Sequence, residues 1–205
     1  MSKLTMTTFL TLDGVMQAPG GPPEDTSGGF PFGGWLVPYA DAEMGKFMTE
    51  VFDRAAAFLL GRGTYQIFAN HWPRVTDPSD PIAAKLNALP KHVASKTLSQ
   101  VDWNNSSLVA NVVTDVSALK ARYQGELQVH GSAGLAQTLI QHDLVDEYHV
   151  LVFPVLLGTG KRLFGSGTRP AALKLKGSRT TSTGVVIASY ARAGKPTFGS
   201  FMLDP

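Results

Sequence analysis

The chain has 205 residues, 43% of them hydrophobic and 17% charged, which is enough apolar side chain for one domain-sized core and too much for a disordered segment. Its 18 lysines and arginines nearly cancel 16 acidic residues, and no run of like charge supplies the footprint that nucleic-acid binding requires. With no cysteine, disulfide scaffolds, thiolate nucleophiles and Cys-ligated zinc are excluded, and the longest apolar run, Val150 to Leu157, is far below the roughly 18 residues of a membrane span.

Leu4 to Leu12 is threonine-rich and mostly apolar, and reads as a buried strand that ends at the turn signal Asp13-Gly14. The opening stretch has no continuous apolar core of the signal-peptide kind, so a cytoplasmic protein is expected. Gln17 to Pro38 is rich in glycine and proline and carries Phe30, Phe32 and Trp35, the pattern of a functional loop or lid or of a disordered insertion. Asp41 suits a helix N-cap, followed by Met44, Phe47, Met48, Val51 and Phe52 at amphipathic-helix spacing. Ala56 to Leu60 is a short buried strand leading into Gly61-Arg62-Gly63-Thr64 and a short helix through Phe68.

Asp80-Pro81 marks the start of a further helix that Pro90 stops. His92 to Ser95 and Leu108 to Val112 are strand-like, a helix runs from about Thr114 to Tyr123, and Leu127 to His130 is a strand. Gly131-Ser132-Ala133-Gly134 opens the next helix, with Leu135 and Leu139 on one face. Glu147 to Val155 is a strand, Leu173 to Lys176 alternates, and Val185 to Tyr190 is a last strand reached through a turn at Ser182-Thr183-Gly184. Alternating strands and helices that finish in a hairpin predict a single α/β domain over 1–205, its sheet mostly parallel with an antiparallel edge.

Two strand-to-helix turns carry the chemistry. A helix start presents unpaired N–H groups and partial positive charge, and glycine lets an anion approach that backbone. The turn at Gly61-Arg62-Gly63-Thr64 adds a guanidinium and a hydroxyl, while Gly131-Ser132-Ala133-Gly134-Leu135 adds glycines and a serine without charge. Each alone also suits a tight connection, but together they suggest a ligand with several phosphates. Ser95-Lys96-Thr97 is either a solvated loop or a third phosphate contact, and an arginine and a lysine at one adenosine end would favour NADP over NAD. Neither a G-x-G-x-x-G fingerprint nor a Walker A sequence is present.

Thr11-Leu12-Asp13-Gly14, Leu60-Gly61-Arg62-Gly63-Thr64-Tyr65, Ser95-Lys96-Thr97-Leu98, Val129-His130-Gly131-Ser132-Ala133 and Pro154-Val155-Leu156-Leu157-Gly158-Thr159-Gly160 follow one another in that order. Over Lys3 to Ala193 this arrangement resembles the dihydrofolate-reductase-like superfamily, and within it the reductase domain of the bifunctional riboflavin-biosynthesis deaminase/reductase and its stand-alone bacterial relatives. The resemblance implies a three-layer fold with an eight-stranded mixed sheet, flanking helices and a C-terminal antiparallel hairpin, NADPH as hydride donor, and commonly a homodimer. It also implies that Gly61, Arg62 and Thr64 hold phosphates of the cofactor, that Ser95 and Lys96 border the adenosine phosphate, and that Gly131, Ser132, Ala133, Gly134 and Leu135 lie under the pyrophosphate and nicotinamide. Asp13 is placed near nicotinamide and substrate. Two departures concern the substrate: His130 stands where riboflavin reductases often carry an acid, and the following turn is Gly-Ser rather than Gly-Gly.

Hydride delivery to C=N or C=O leaves charge that a proton donor must neutralise. Asp13 and Asp41 are the candidate acids, each reading also as a local structural residue, a turn former and a helix cap. Trp35 and Trp72 are candidate substrate walls, with core packing as the alternative. The five histidines show no metal-ligand spacing. The expected function is an NADPH-dependent reductase of a small heterocyclic or imine-like substrate, with a riboflavin-pathway ribosylaminopyrimidine first and a pterin or dihydrofolate second. The rival is an NADP-binding module without turnover.

Overall fold

The computed structural model describes residues 2–202; Met1 and residues 203–205 of the expected 1–205 domain lie outside the described residues. Eight strands form one sheet: β1 (Leu4–Thr11), β2 (Ala55–Gly61), β3 (Lys91–Ala94), β4 (Ser106–Val109), β5 (Glu126–His130), β6 (Glu147–Phe153), β7 (Leu173–Thr180) and β8 (Val186–Arg192). Their order is β4-β3-β2-β5-β1-β6-β8-β7, parallel as far as β6 and antiparallel at β8 and β7. This is the mixed, mostly parallel α/β sheet with a terminal hairpin that the sequence led us to expect.

Period-2 alternation sends the side chains of β1 to two cores. Leu4, Met6 and Leu10 join Leu127 and Val129 under helices α4 (Val112–Arg122) and α5 (Ala133–Gln141). The opposite face, with Phe58, Leu60, Leu151 and Phe153, is covered by α1 (Ala42–Asp53), α2 (Arg62–His71) and α3 (Pro81–Ala88). Phe58 is fully buried, and its truncation to alanine is worth about 3–5 kcal/mol. Lys91 is also fully buried; its Nζ donates to the carbonyls of Leu86 and Leu89 at 2.7 and 2.8 Å at the end of α3, and burial lowers its pKa to about 8.

Several boundaries differ from the sequence pattern by a few residues, and two of the shifts have a visible cause. The apolar run ending at Val112 contains both the end of β4 and the start of α4, because the Asn111 side chain accepts the Val113 N–H at 3.2 Å and caps the helix two residues earlier than expected. Leu12 falls outside β1 and is exposed, since the chain turns at Thr11, whose N–H and carbonyl are taken by Val15 and Gly14.

The Gln17 to Pro38 segment is folded against the protein as an ordered loop, with the short 3-10 turns Ser27–Gly29 and Val37–Tyr39 in or at the end of it, rather than a disordered insertion. The Gln17 amide donates to the carbonyls of Asp25 and Ser27 at 3.1 and 3.0 Å. Lys161 Nζ reaches Asp25 Oδ2 and Ser27 Oγ, both at 2.6 Å. A Cβ on Gly33 would sit 2.6 Å from the Gly21 carbonyl, so this crossing of the loop over itself requires glycine. Phe30 and Trp35 are buried in the protein's own core, Trp35 edge-on to Phe153 at 5.3 Å; Phe32 is the half-exposed member of the trio. Among the described residues no helix is long and apolar enough to cross a membrane.

Candidate active site

β1 outruns its neighbour. Its pairing with β5 stops at Thr7 and His130, whereas its pairing with β6 continues to Thr11 and Phe153. A crevice therefore opens at the carboxyl ends of β1, β2 and β5, where open α/β sheets bind ligands. Both glycine turns lie in it. A Cβ on Gly61 would fall 1.9 Å from Ser132 Oγ and 2.7 Å from Ser132 Cβ, so glycine is required for the two turns to touch. Gly131 follows at φ +70°, and Ser132 has φ +71°, a left-handed backbone that is costly for a residue with a side chain and is retained most often at functional sites.

The two helices that begin here have no side-chain cap. Gly61 precedes α2 and Ser132 precedes α5, and neither helix start receives a side-chain hydrogen bond. By contrast α1, α3 and α4 are capped by Asp41, Asp80 and Asn111. The amide donors and partial positive charge of two adjacent helix starts face one crevice.

The crevice deepens into a cavity of about 950 Å³. At its polar end are Arg62, Gly63 and Thr64 of α2 and Gly131, Ser132, Ala133 and Gly134 before α5. Arg62 Nη1 donates to Thr97 Oγ1 at 2.8 Å, which leaves the rest of its guanidinium fork for a ligand. The third turn is thereby tied to the first. Ser95 Oγ accepts the N–H groups of Thr97 and Leu98 at 3.2 and 3.0 Å, so Ser95 shapes this turn, and Lys96 is exposed on it. Neither Ser95 nor Lys96 lines the cavity wall.

The other end is mostly apolar, with Gln66 and Asn70 of α2 as its neutral polar members. Met44, Met48 and Phe52 of α1 face Ile67, Phe68 and Trp72 across it. His130 stacks on Phe52 with ring centroids 4.5 Å apart and 16° between planes. Its protonation follows from a chain of hydrogen bonds: the Gln128 amide donates to Val51 O at 2.7 Å and Glu126 Oε2 at 2.8 Å, so Gln128 Oε1 is the acceptor facing His130 Nε2 at 3.0 Å. Nε2 carries the proton and Nδ1 is left bare. Burial, reinforced by His149, lowers the His130 pKa to about 3, so the ring is neutral at physiological pH.

Two carboxyl groups line the cavity. Burial pushes Glu24 above the usual carboxylate range, against the N–H of Gly20 that it accepts at 2.6 Å. Burial acts the same way on Asp25, but the hydrogen bonds from Lys161 and Ser27 outweigh it and hold Asp25 low. Thr7 Oγ1 and Thr8 Oγ1, both on the wall, are buried without a hydrogen-bond partner.

Several residues singled out in the sequence belong to the framework. Asp13 does not line the cavity. It accepts from Thr11 Oγ1 at 2.5 Å and from the N–H groups of Gly158 and Leu157 at 2.8 and 3.3 Å, and pairs with Arg162 at 3.3 Å; the Thr11 bond and then the amides hold its pKa at about 2. A carboxyl so occupied clamps the loop around Gly158 to the end of β1. Asp41 is the N-cap of α1, accepting from Met44 N at 2.8 Å and from Thr183, and its pKa is well below normal for that reason; the α1 side chains that reach the cavity are methionines and a phenylalanine. Trp35 donates its Nε1–H to the Gln17 carbonyl at 2.7 Å inside the core, and Leu135 packs in the α5 core, so neither faces the cavity. Trp72 does. Glu24, Thr7 and Thr8 had no distinguishing sequence signal beyond position on a strand or in a loop, and His130 stood out only as a departure from the family pattern before the second glycine turn.

With that geometry in place, comparison with known proteins is decisive on ancestry. The RibD C-terminal domain model matches residues 2–187. The chain belongs to the RibD C-terminal domain family. A relative from Bacillus subtilis (strain 168), the uncharacterized protein YyaP, is 28% identical over 183 residues, 88% of this chain and 90% of its own. Among solved structures, a Shewanella sp. PV-4 protein provisionally assigned to riboflavin biosynthesis superposes with TM-score 0.70 at 20% identity, over 94% of this chain and 99% of its own. A Thermotoga maritima diaminohydroxyphosphoribosylaminopyrimidine deaminase/5-amino-6-(5-phosphoribosylamino)uracil reductase gives 0.63 at 13% identity, over 94% of this chain and 57% of its own. At these identities the structures establish a shared RibD-type fold. Among the described residues of this RibD-type domain, no group of three or more acidic or histidine side chains is arranged to hold a metal ion.

Proposed function

We propose that the protein is an NADPH-dependent reductase acting on the C=N or C=O bond of a small heterocyclic or imine-like substrate. The observation that carries this reading is the meeting of two uncapped helix starts, at Gly61 and Ser132, on the wall of a single cavity. The donor set suits a dinucleotide: amides of Arg62 to Thr64 and of Ala133 and Gly134 for the diphosphate, and the Arg62 guanidinium for a ribose 2′-phosphate. When bound there, NADPH would supply the hydride.

The chain's own residues have the remaining tasks. Ser132 and Gly131, held in left-handed backbone, present the α5 amides. The Gln17 to Pro38 wall, tied down through Lys161, excludes water from one side. Neutral His130 and Phe52 form a flat rigid surface at the cavity floor. Glu24, with its raised pKa, is the cavity-lining carboxyl suited to hold a proton, directly or through a water, for the atom that hydride transfer leaves negative.

The test is a titration with NADPH and NADH, followed by tryptophan fluorescence, in wild type and Arg62→Ala. Wild type is expected to prefer NADPH, and loss of the charged hydrogen bonds should remove about 10–100-fold of that preference. Equal affinity for both nucleotides, unchanged by the substitution, would withdraw the NADP assignment. Tight NADPH binding with no substrate-dependent oxidation across imines, pterins and ribosylaminopyrimidines would support a binding module instead.

A further inference from the structure

Resting on the reductase reading, the inner half of the cavity defines a substrate class. We infer that this chamber takes an uncharged, planar, largely apolar molecule, anchored by the Thr7 hydroxyl, and that it rejects substrates carrying a phosphate.

Charge accounting supports the exclusion. Among the described residues lining the cavity, the cationic side chains are Arg62 and Lys161, the His130 ring being neutral. Lys161 is engaged: its Nζ lies 2.6 Å from both Asp25 Oδ2, which offsets its charge, and Ser27 Oγ, and breaking those bonds would untie the loop wall. Arg62 stands at the first residue of α2, about 7.5 Å along the helix from Ile67. It belongs to the polar end. A phosphate dianion in the inner chamber would meet Met44, Met48, Ile67 and Trp72, the carboxyl of Glu24 and the neutral amides of Gln66 and Asn70, losing water with no free counter-charge in return.

What the chamber does offer is flat and neutral. The Phe52–His130 stack and Trp72 both line it. Thr7 shares its sheet face with His130 and His149, its register partners, and so projects to the α1 side. Its Oγ1 is buried without a partner, in a residue 2% exposed. Such an orphan costs stability unless a ligand completes it. One neutral acceptor or donor on a planar ring, seated on the stack, satisfies it.

The experiment compares three probes by calorimetry on the full chain: quinoxaline, 5-amino-6-(ribosylamino)uracil, and the 5′-phosphate of the latter. Quinoxaline should bind at least about 10-fold tighter than the phosphorylated pyrimidine, and removal of the phosphate should improve the pyrimidine. Thr7→Val should weaken quinoxaline by about 5-fold or more while leaving thermal stability unchanged or raised, because the substitution deletes an unsatisfied hydroxyl at nearly constant volume. Ile67→Lys, at a half-buried position, should reverse the order of the pyrimidine pair. The inference is overturned if the phosphorylated probe binds as tightly as the others, above all if Lys161→Ala then abolishes that binding, or if quinoxaline fails to bind at millimolar concentration. NADPH titration of the same samples keeps the outcomes separate: NADPH binding with preference for the phosphorylated probe sinks the substrate class alone, whereas absent NADPH binding sinks the reductase reading and leaves the probe ranking to be read on its own.

Discussion

Among the described residues, the five α-helices start in two different ways. At α1, α3 and α4 a short polar side chain closes the first turn: Asp41 on Met44 N, Asp80 on Ile82 N and Ala83 N, Asn111 on Val113 N. At α2 and α5 the preceding residues are Gly61 and Ser132, without a side-chain cap, and these two starts touch across the cavity. Capping contributes about 1 kcal/mol per helix, so its omission at the two places where strands end beside a crevice indicates that the free amides serve something else. The strained φ of Ser132 is on the same side of the division.

The largest effect is expected from Gly61→Ala. The new methyl would overlap Ser132 Oγ and Cβ, and because the clash involves Cβ no rotation of the serine relieves it. Stability should fall by about 1–3 kcal/mol and NADPH affinity by about 100-fold or more, the first read by urea denaturation and the second by fluorescence titration. Retention of full NADPH affinity in this variant would break the link between turn contact and binding.

Acid should act on the uncapped side through His130, the last residue of β5 before the α5 turn. Its pKa is about 3 in the fold against 6.5 for the free side chain, so the unfolded chain takes up a proton that the folded chain refuses. The stability this neutral ring contributes is complete above pH 6.5 and is lost as the pH falls toward 3. His92 and His149, also lowered by burial, act in the same direction. Between pH 6.5 and 5, His130 alone should account for about 1–2 kcal/mol, and His130→Gln should flatten the pH dependence of unfolding by that amount. An unchanged slope would contradict the buried, neutral assignment.

The smallest effect is the control from the capped class. Asp80→Ala should lower stability by about 1 kcal/mol, with NADPH affinity unaltered. Asp41→Ala should likewise leave NADPH affinity in place, and a marked loss of affinity in either variant would erase the distinction drawn between the two kinds of helix start.

Much of this was legible from residue order. The sheet and helices follow hydrophobic periodicity and turn residues, which are local, and the glycine turns stood out because two of them occur together, in order with the other motifs, although each alone also suits a tight connection. The acids were ambiguous because one residue type does two jobs. Asp13 and Asp41 carry the pattern of a catalytic carboxylate, and only three-dimensional partners such as Gly158, Leu157 and Thr183, more than 140 residues away, reveal that their oxygens are already taken. Trp35 was ambiguous for the same reason, its wall or core role depending on Phe153. Glu24 was overlooked because nothing local marks a loop glutamate as buried. Thr7 is one of several threonines on β1, and its unpartnered state is visible only when β5 ends and α1 closes over it.

The most direct test of the central claim follows backbone amides by NMR in the uniformly 15N-labelled protein as NADPH is added. Shifts should concentrate at residues 62–65 and 131–135, with the first turns of α1, α3 and α4 little changed, and NADH should reproduce the pattern with smaller changes at Arg62. Shifts centred on the capped helix starts, or amides at Gly131 to Leu135 that stay still at saturation, would contradict the account.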